Sequence, residues 1–481
     1  MTDAATPIAP GLTTDSDKKQ KMNRLTRATR EAIVERLNKD HALILLGNQP
    51  AVLREGLNEE GREEVQFLPV AAFHEWKRPD VVWLNSGDDG PDKRVQASKI
   101  WIESPLRRQF EGLVFDPRQL QVKDYYNLWK GFAMEPAPSG TQASCQLFID
   151  HVADNICSGD PDLFAWVMAW FAALIQEPWD KKGTSLVLRG KQGTGKTKAG
   201  EVVGSLLGPH YALVAEPRYI TGRFNAHLAH LLLLQLDEAT WAGDHDAASK
   251  LKDLVTGSYQ HIEFKGREPI KLRNYVRLLI TSNSHWVIPA GLEERRFAVL
   301  DVGDGKRQDA AFFKALDDQM DNGGRAALLR YLMDFDLSDI PIRSIPETAA
   351  LSDQRMASLS PEQHWWLDIL MGGMLPGDAE GTGTTEVSAL FNHYLAQSQR
   401  LGINRRSWET SLGRALRKWV PGLKKDQRTV HTPGGTDRPM FYFFPSLAAC
   451  RREFEKVVGG EWWGSETEAS WRAWPVSGGA K

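Results

Sequence analysis

The chain has 481 residues, 42% of them hydrophobic, and a formal net charge of -3. That is enough apolar material for roughly two to four domains rather than one, and the near-neutral balance excludes binding of nucleic acid or membrane through bulk charge, leaving only local patches. Cys145, Cys157 and Cys450 are odd in number and lack zinc-ligand spacing, which argues against a disulfide framework and fits a reducing cytoplasm.

In chain order, residues 1–20 read as a flexible leader with no apolar signal-peptide core. An α+β accessory module spans 21–144: "MNRLTRATREAIVERLNKD" has helical spacing, and "HALILLGNQPAVLREG" reads as two strands around a turn. The breaker-rich "GFAMEPAPSGTQAS" closes it. Residues 145–183 are helical, and their run "LFAWVMAWFAALI" falls short of the ~20 residues that cross a bilayer, which predicts a buried helix and no membrane partner.

Between 184 and 305, the apolar strands of "SLVLRG", "LLLLQLDEA" and "VRLLITSN" alternate with helical or looped segments. Such strands belong in the middle of a parallel sheet, so the core is α/β. Residues 306–374 are helical, 375–385 ("LPGDAEGTGTT") are a linker, and 458–481 are a flexible tail. In 386–457, two helical patterns joined at Gly402 precede a two-stranded wing around "PGG", the pattern of a helix-turn-helix with a wing. Trp365, Trp366, Trp408 and Trp419 lie at helical spacing and read as core rather than as base-stacking surfaces.

The stretch "LRGKQGTGKTKAG" fits G-x-x-x-x-G-K-[ST] through Gly190, Gly195, Lys196 and Thr197, with Gly193 a further flexible point and Thr194 inside the loop. It follows an apolar strand and opens a helix, so its N–H groups and the helix's positive end can cradle phosphates while Thr197 holds Mg²⁺. ATP and Mg²⁺ are therefore the expected cofactors. Asp237 and Glu238 end the next apolar strand, where one carboxylate can serve the metal and its neighbour can polarise the attacking water. Asn283 ends a third strand, where an amide can orient that water.

Arg295 and Arg296 precede another strand. An arginine reaching a neighbouring subunit's nucleotide is worth about 10³- to 10⁵-fold in rate. Salt bridges to Glu293 or Glu294 are the alternative role. Lys265, Arg267, Lys271, Arg273 and Arg277, set against Glu268 alone, form a cationic ribbon able to track phosphates, with a solvated hairpin as the other reading.

The order GKQGTGKT, LDEA, a basic segment, ITSN and EERRF resembles the superfamily 3 helicases of the AAA+ class, and residues 40–457 resemble the phage and plasmid primase-helicase type. The resemblance implies an AAA+ P-loop NTPase core with Lys196 and Thr197 as phosphate and Mg²⁺ ligands, Asp237 with Glu238 as the metal and water-activating pair, and Asn283 as sensor. It implies Arg296, or Arg295 one residue away, as the arginine finger, and a DNA-gripping hairpin with Lys265 at its tip. Gly266 stands where several relatives have histidine.

The same resemblance implies a C-terminal winged helix, in which Arg405, Arg406, Lys424 and Lys425 are candidate DNA contacts, although winged helices also dock proteins. It implies a homo-oligomeric ring, a hexamer, acting on single-stranded and forked DNA, with a separate primase or replication initiator as partner. No acidic cluster suited to a primase metal site stands out in the first 150 residues, so no primase activity of its own is expected. The rival expectation is a nucleotide-switched, DNA-bound assembly protein without strand separation.

Overall fold

The computed structural model describes residues 29–475, apart from 60, 62, 85–92, 121, 141, 217, 218, 220, 221, 223, 239–244, 286, 289–294, 401–407, 433, 434, 459–462 and 464–469. Helix α1 (29–38) leads into β1 (His41–Leu46), β2 (Gln49–Leu57), β3 (Glu63–Pro69), α2 (Val70–Trp76), β4 (Val81–Leu84), β5 (Lys93–Gln96), α3 (Ala97–Glu103), β6 (Gln109–Phe110), β7 (Gly112–Val114) and β8 (Tyr125–Asn127). One sheet runs β3-β2-β1-β6. Both of its faces carry apolar side chains, most of them covered, although Leu45 and Leu57 stay exposed. Val52 packs with Phe73 and Trp101 of the helices, whereas Ala42, Ile44, Ala51 and Leu53 point the other way into the main core. The accessory module is thereby fused to the body of the protein.

Helix α4 (Gln146–Asp150) continues through a π-helical turn, His151–Ile156, to α5 (Pro161–Gln176). The run expected to be a buried helix is α5, started by Pro161 and by Asp160, whose carboxylate accepts from the Asp162 and Leu163 amides. Then come β9 (Ser185–Arg189), α6 (Lys196–Leu207), β10 (Tyr211–Val214), β11 (Leu233–Asp237), α7 (His245–Thr256), β12 (Tyr259–Ile262), β13 (Ile270–Arg273), β14 (Arg277–Ser282) and β15 (Phe297–Asp301). Five of these strands make an all-parallel sheet, β10-β11-β14-β9-β15. The three apolar runs thus form its centre, as their composition requires. Strands β12 and β13 form an antiparallel hairpin outside it.

Helices α8 (Ala310–Gln319), α9 (Arg325–Asp334) and α10 (Ala349–Ala357) pack on this core, but α11 (Pro361–Gly372) does not. Its Trp365, Trp366 and Leu370 join a separate apolar cluster with Tyr394, Leu416, Trp419 and Phe454. That C-terminal unit comprises α11, β16 (Thr384–Glu386), α12 (Val387–Arg400), α13 (Glu409–Trp419), β17 (Lys424–Gln427), β18 (Val430–Thr432), β19 (Gly435–Asp437), β20 (Met440–Phe443) and α14 (Leu447–Val458), with sheet order β16-β20-β17. It therefore begins at Pro361, well before the expected start at 386.

The expected linker at 375–385 is a folded turn. The buried Asp378 carboxylate accepts from the Gly383 amide at 2.7 Å and the Thr382 amide at 3.1 Å, and such Asp-closed turns have the same composition as linkers. Part of the expected flexible tail is also tied down: Trp471 is buried, its indole N–H donates to the Pro445 carbonyl at 2.8 Å, and the Trp474 amide donates to the Asp378 carbonyl at 2.7 Å. Trp365, Trp366 and Trp419 are core, but Trp408 is 81% exposed. It occupies the N-cap of α13, outside the helix, so helical spacing does not govern its direction. The three cysteines are buried and free.

His210 joins the accessory module to the parallel sheet. Its Nδ1–H donates to the His230 carbonyl at 2.7 Å, its Nε2 accepts from the Lys130 amide at 3.0 Å, and Trp129 stacks on it at 4.6 Å. Only the neutral ring can make both bonds. Burial lowers its pKa from 6.5 to about 3 and that of His230 to about 4. With both folded-state values depressed, the unfolded chain binds more protons below 6.5. The associated stability is present above that pH and declines on acidification below it, by on the order of 1 kcal/mol per pH unit for each ring. Urea titrations at pH 7, 6 and 5 should show this slope, and His210→Gln should remove its own share.

Candidate functional site

The loop after β9 lies where the sheet's connections diverge to either side, a switch point at the C-terminal strand edge. Gly195 caps α6 at φ +84°, and a Cβ there would stand 2.6 Å from His151 and from the Phe313 ring, so only glycine fits. Two residues of the π-helical turn hold the loop from behind: Asn155 Nδ2 donates to the Thr194 carbonyl at 2.6 Å, and His151 Nε2 donates to the Gly195 carbonyl at 3.1 Å. Burial lowers the His151 pKa and keeps the ring neutral. The Gln308 amide closes the front by donating to the Gly193 carbonyl at 2.9 Å.

Lys196 is 6% exposed. Its Nζ donates to the Lys191 carbonyl at 2.6 Å, the Gly190 carbonyl at 2.9 Å and Asn283 Oδ1 at 3.0 Å. Burial lowers its pKa, while Asp237, Glu238 and Asp304 oppose the shift by favouring the charged form. Thr197 Oγ1 donates to Asp237 Oδ1 at 3.1 Å, Thr281 donates to the same oxygen, and Asn283 Nδ2 donates to Glu238 Oε1 at 3.2 Å. Glu238 has φ +53°, a left-handed backbone that is costly for a non-glycine residue and clusters at functional sites.

The sequence candidates Gly193, Gly195, Lys196, Thr197, Asp237, Glu238 and Asn283 line one cavity of about 420 Å³, with Lys198, Gln308 and Phe313 extending it between α6 and α8. Gly190 and Thr194 bracket the loop without lining that cavity. A hydroxyl and a carboxylate oxygen side by side are hard donors of the kind Mg²⁺ accepts, and that ion commonly takes few protein ligands and completes its shell with phosphate and water. Among the described residues no group of three or more His, Cys, Asp or Glu converges as a metal cage. Thr197 and Asp237 thus fit Mg²⁺ better than a dedicated transition-metal site.

Arg295 and Arg296 are not brought to this cavity. The Arg296 carbonyl accepts from the Ser185 amide at the start of β9, and the loop lies at the strand's far end, about 16 Å away for five residues at ~3.3 Å each. Lys265 and Lys271 are exposed on the β12–β13 hairpin, and Arg267 is half-buried beneath its tip. The tip itself is docked, because Asn48 Nδ2 donates to Glu268 Oε2 at 2.7 Å and Phe67 meets Phe264 edge to face at 5.5 Å. Lys424 and Lys425 are exposed on β17, while Arg405 and Arg406 lie outside the described residues.

Arg277 does not belong to the cationic ribbon. It is the first residue of β14, 2% exposed, and its guanidinium donates to the carbonyls of Ala173, Glu177, Pro178 and Asp180 around the end of α5. Sequence proximity to the hairpin hid this because strand register turns it inward. Burial lowers its pKa to about 10. Arg277→Met leaves these carbonyls without their donor and should cost about 2–3 kcal/mol, seen as a lower thermal midpoint.

His151, Asn155, Gln308 and Phe313 were not singled out from the sequence. The i, i+4 spacing of His151 and Asn155 on a helical segment was the only available signal, and nothing in it shows proximity to a loop 40 residues away.

A family model described as "Family of unknown function (DUF5906)" matches residues 188–296, the stretch holding the loop, both carboxylates, the hairpin and the two arginines. Over 152 residues, 31% of this chain, the sequence is 24% identical to a "DNA Primase-polymerase" of Nitratiruptor phage NrS-1, and the match spans 21% of that protein's length. The apo structure of the NrS-1 C-terminal region (305–718) superposes with a TM-score of 0.58 at 14% identity, covering 86% of this chain and 98% of that one. An A form apo structure of the same region gives 0.57 at 15% identity, covering 85% and 98%. By sequence the chain is related to a phage DNA primase-polymerase, and by fold it is similar to the NrS-1 C-terminal region.

Proposed function

We propose that this chain is an ATP-dependent translocase on single-stranded DNA, a helicase serving replication of a phage, plasmid or integrated element. The observation that carries this reading is the convergence of Lys196, Thr197, Asp237, Glu238 and Asn283 on one cavity at the C-terminal edge of the β10-β11-β14-β9-β15 sheet. That strand order, with the hairpin inserted before β14, supports assignment to the AAA+ class and its superfamily 3 branch. The α11–β16–α12–α13–β17–β20 succession with sheet order β16-β20-β17 supports a winged helix.

In this mechanism the loop amides and Lys196 bind the β- and γ-phosphates, and Thr197 with Asp237 hold Mg²⁺, which supplies charge neutralisation. Glu238 accepts the proton of the attacking water, and Asn283 orients both Glu238 and that water. Arg295 and Arg296 stand too far from their own chain's cavity to assist, which supports a ring, a hexamer by resemblance, with the finger supplied by the next subunit. The hairpin and the C-terminal unit carry the DNA contacts. The relative's role as a phage DNA primase-polymerase supports a replication setting, with a primase or initiator as partner.

Steady-state ATP turnover with and without an oligothymidylate tests the reading. Turnover should rise severalfold on addition, and a rate indifferent to DNA opposes it. A second reading, nucleotide-switched assembly without strand separation, is favoured by one observation: the hairpin tip is docked to Asn48 and Phe67, which restrains its travel.

A further inference from the structure

We infer that the outward face of the β12–β13 hairpin is a base-stacking platform for single-stranded DNA, with Tyr259 as the stacking ring and His261, Lys271 and Arg273 beside it as phosphate contacts. The inference rests on the translocase reading and adds a second contact mode, at the stem rather than the tip. The pleat sorts the hairpin into two faces. Ile262 and Leu272 are buried, and Gln260 Nε2 donates to the Leu228 carbonyl at 3.1 Å, so that face is committed to the body of the protein.

The other face holds Tyr259 opposite Arg273 and His261 opposite Lys271, all exposed. Tyr259 is 46% exposed, with Lys271 Nζ 4.3 Å and the Arg273 guanidinium 5.2 Å from its ring centroid. Neither strand of the hairpin, Tyr259–Ile262 or Ile270–Arg273, carries a carboxylate. Glu268 is engaged by Asn48, and Glu263 is half-buried near the tip.

Lys271 and Arg273 lie over the ring, so the phosphates of an arriving strand draw the two cations off it and an unstacked base takes their place on the π-face. Bases in a duplex have both faces occupied, so the ring discriminates in favour of single strands. A protein partner fits this face poorly, because its apolar surface is confined to one ring set between positive charges. The stem spans about 10 Å from Tyr259 to the end of its strand, so a strand crossing the face can continue towards Lys265.

Fluorescence anisotropy with a labelled oligothymidylate tests this in the full chain. Tyr259→Ala should weaken binding about tenfold, Tyr259→Phe should bind as wild type, and Lys271→Ala with Arg273→Ala should lower the log-log salt slope by about 1.4. Unchanged affinity in Tyr259→Ala overturns the inference and leaves the face to a protein partner, and a loss in Tyr259→Phe equal to that in Tyr259→Ala overturns stacking in favour of a hydroxyl contact. If Tyr259→Ala does not fold, the salt slope of the double variant decides: an unchanged slope overturns the phosphate contacts. DNA-stimulated ATP turnover, measured alongside on wild type, separates the two readings. If stimulation is present and Tyr259→Ala binds normally, the platform alone fails; absent stimulation sinks the translocase itself.

Discussion

Glu238→Gln should abolish sustained ATP turnover, lowering kcat by about 10²- to 10⁴-fold, the usual worth of a positioned general base, while leaving ATP affinity within a few-fold of wild type. The substitution is nearly isosteric. Its side-chain carbonyl can still accept from Asn283 Nδ2, as Glu238 Oε1 does at 3.2 Å, so the local geometry survives. Under the proposed function, the change removes the capacity to accept a proton and leaves Lys196 and the loop amides in place to bind phosphate. A nucleotide-affinity measurement beside the turnover assay makes the split visible, and equal losses in both would mean that Glu238 binds rather than catalyses. The left-handed backbone at Glu238 is consistent with a side chain held for chemistry at a cost in stability.

Lys196→Ala should lower kcat/KM for ATP by about 10²- to 10³-fold, the range found for deleting one preorganised donor, and should weaken nucleotide binding itself. In the present geometry the ammonium spans the Gly190 and Lys191 carbonyls and Asn283 Oδ1. An incoming phosphate replaces these neutral acceptors with charged ones, which makes stronger bonds in the same place. The chain should still fold, because His151, Asn155 and Gln308 hold the loop independently of that side chain. Thermal midpoint and isothermal titration on the same preparation check both halves, and undiminished turnover in Lys196→Ala would place ATP elsewhere.

The glycine-rich loop between strand and helix and the three central strands were legible because each is a local property, a spacing of glycines beside lysine or an unbroken apolar run. The clustering of Thr197, Asp237 and Asn283 followed once those strands were read as neighbours in one parallel sheet. Arg277 was misplaced because sequence shows charge but not which side of a strand it faces, and only register turns it onto the carbonyls at the end of α5. The 375–385 segment has the composition of a linker, yet Asp378 closes it into a turn packed against the chain at Trp471 and Trp474, contacts nearly 100 residues away. The grip of His151 and Asn155 on the loop was invisible for the same reason: it is a contact between segments, carried by backbone carbonyls that no residue pattern marks.

Docking of the hairpin tip on the accessory sheet has a mechanical consequence. Gly47 sits at φ +56° with a would-be Cβ 2.3 Å from the Glu268 carbonyl oxygen, so the two backbones touch where any side chain would push them apart. Under the translocase reading, the accessory sheet and the hairpin therefore move as one piece, or the contact breaks in each cycle.

The most direct test is separation of a forked DNA duplex by the full chain with ATP and Mg²⁺. The expected result is ATP-dependent release of one strand by wild type and none by Lys196→Ala. Vigorous ATP hydrolysis with the duplex left intact, at a rate that added single strands do not change, would contradict it.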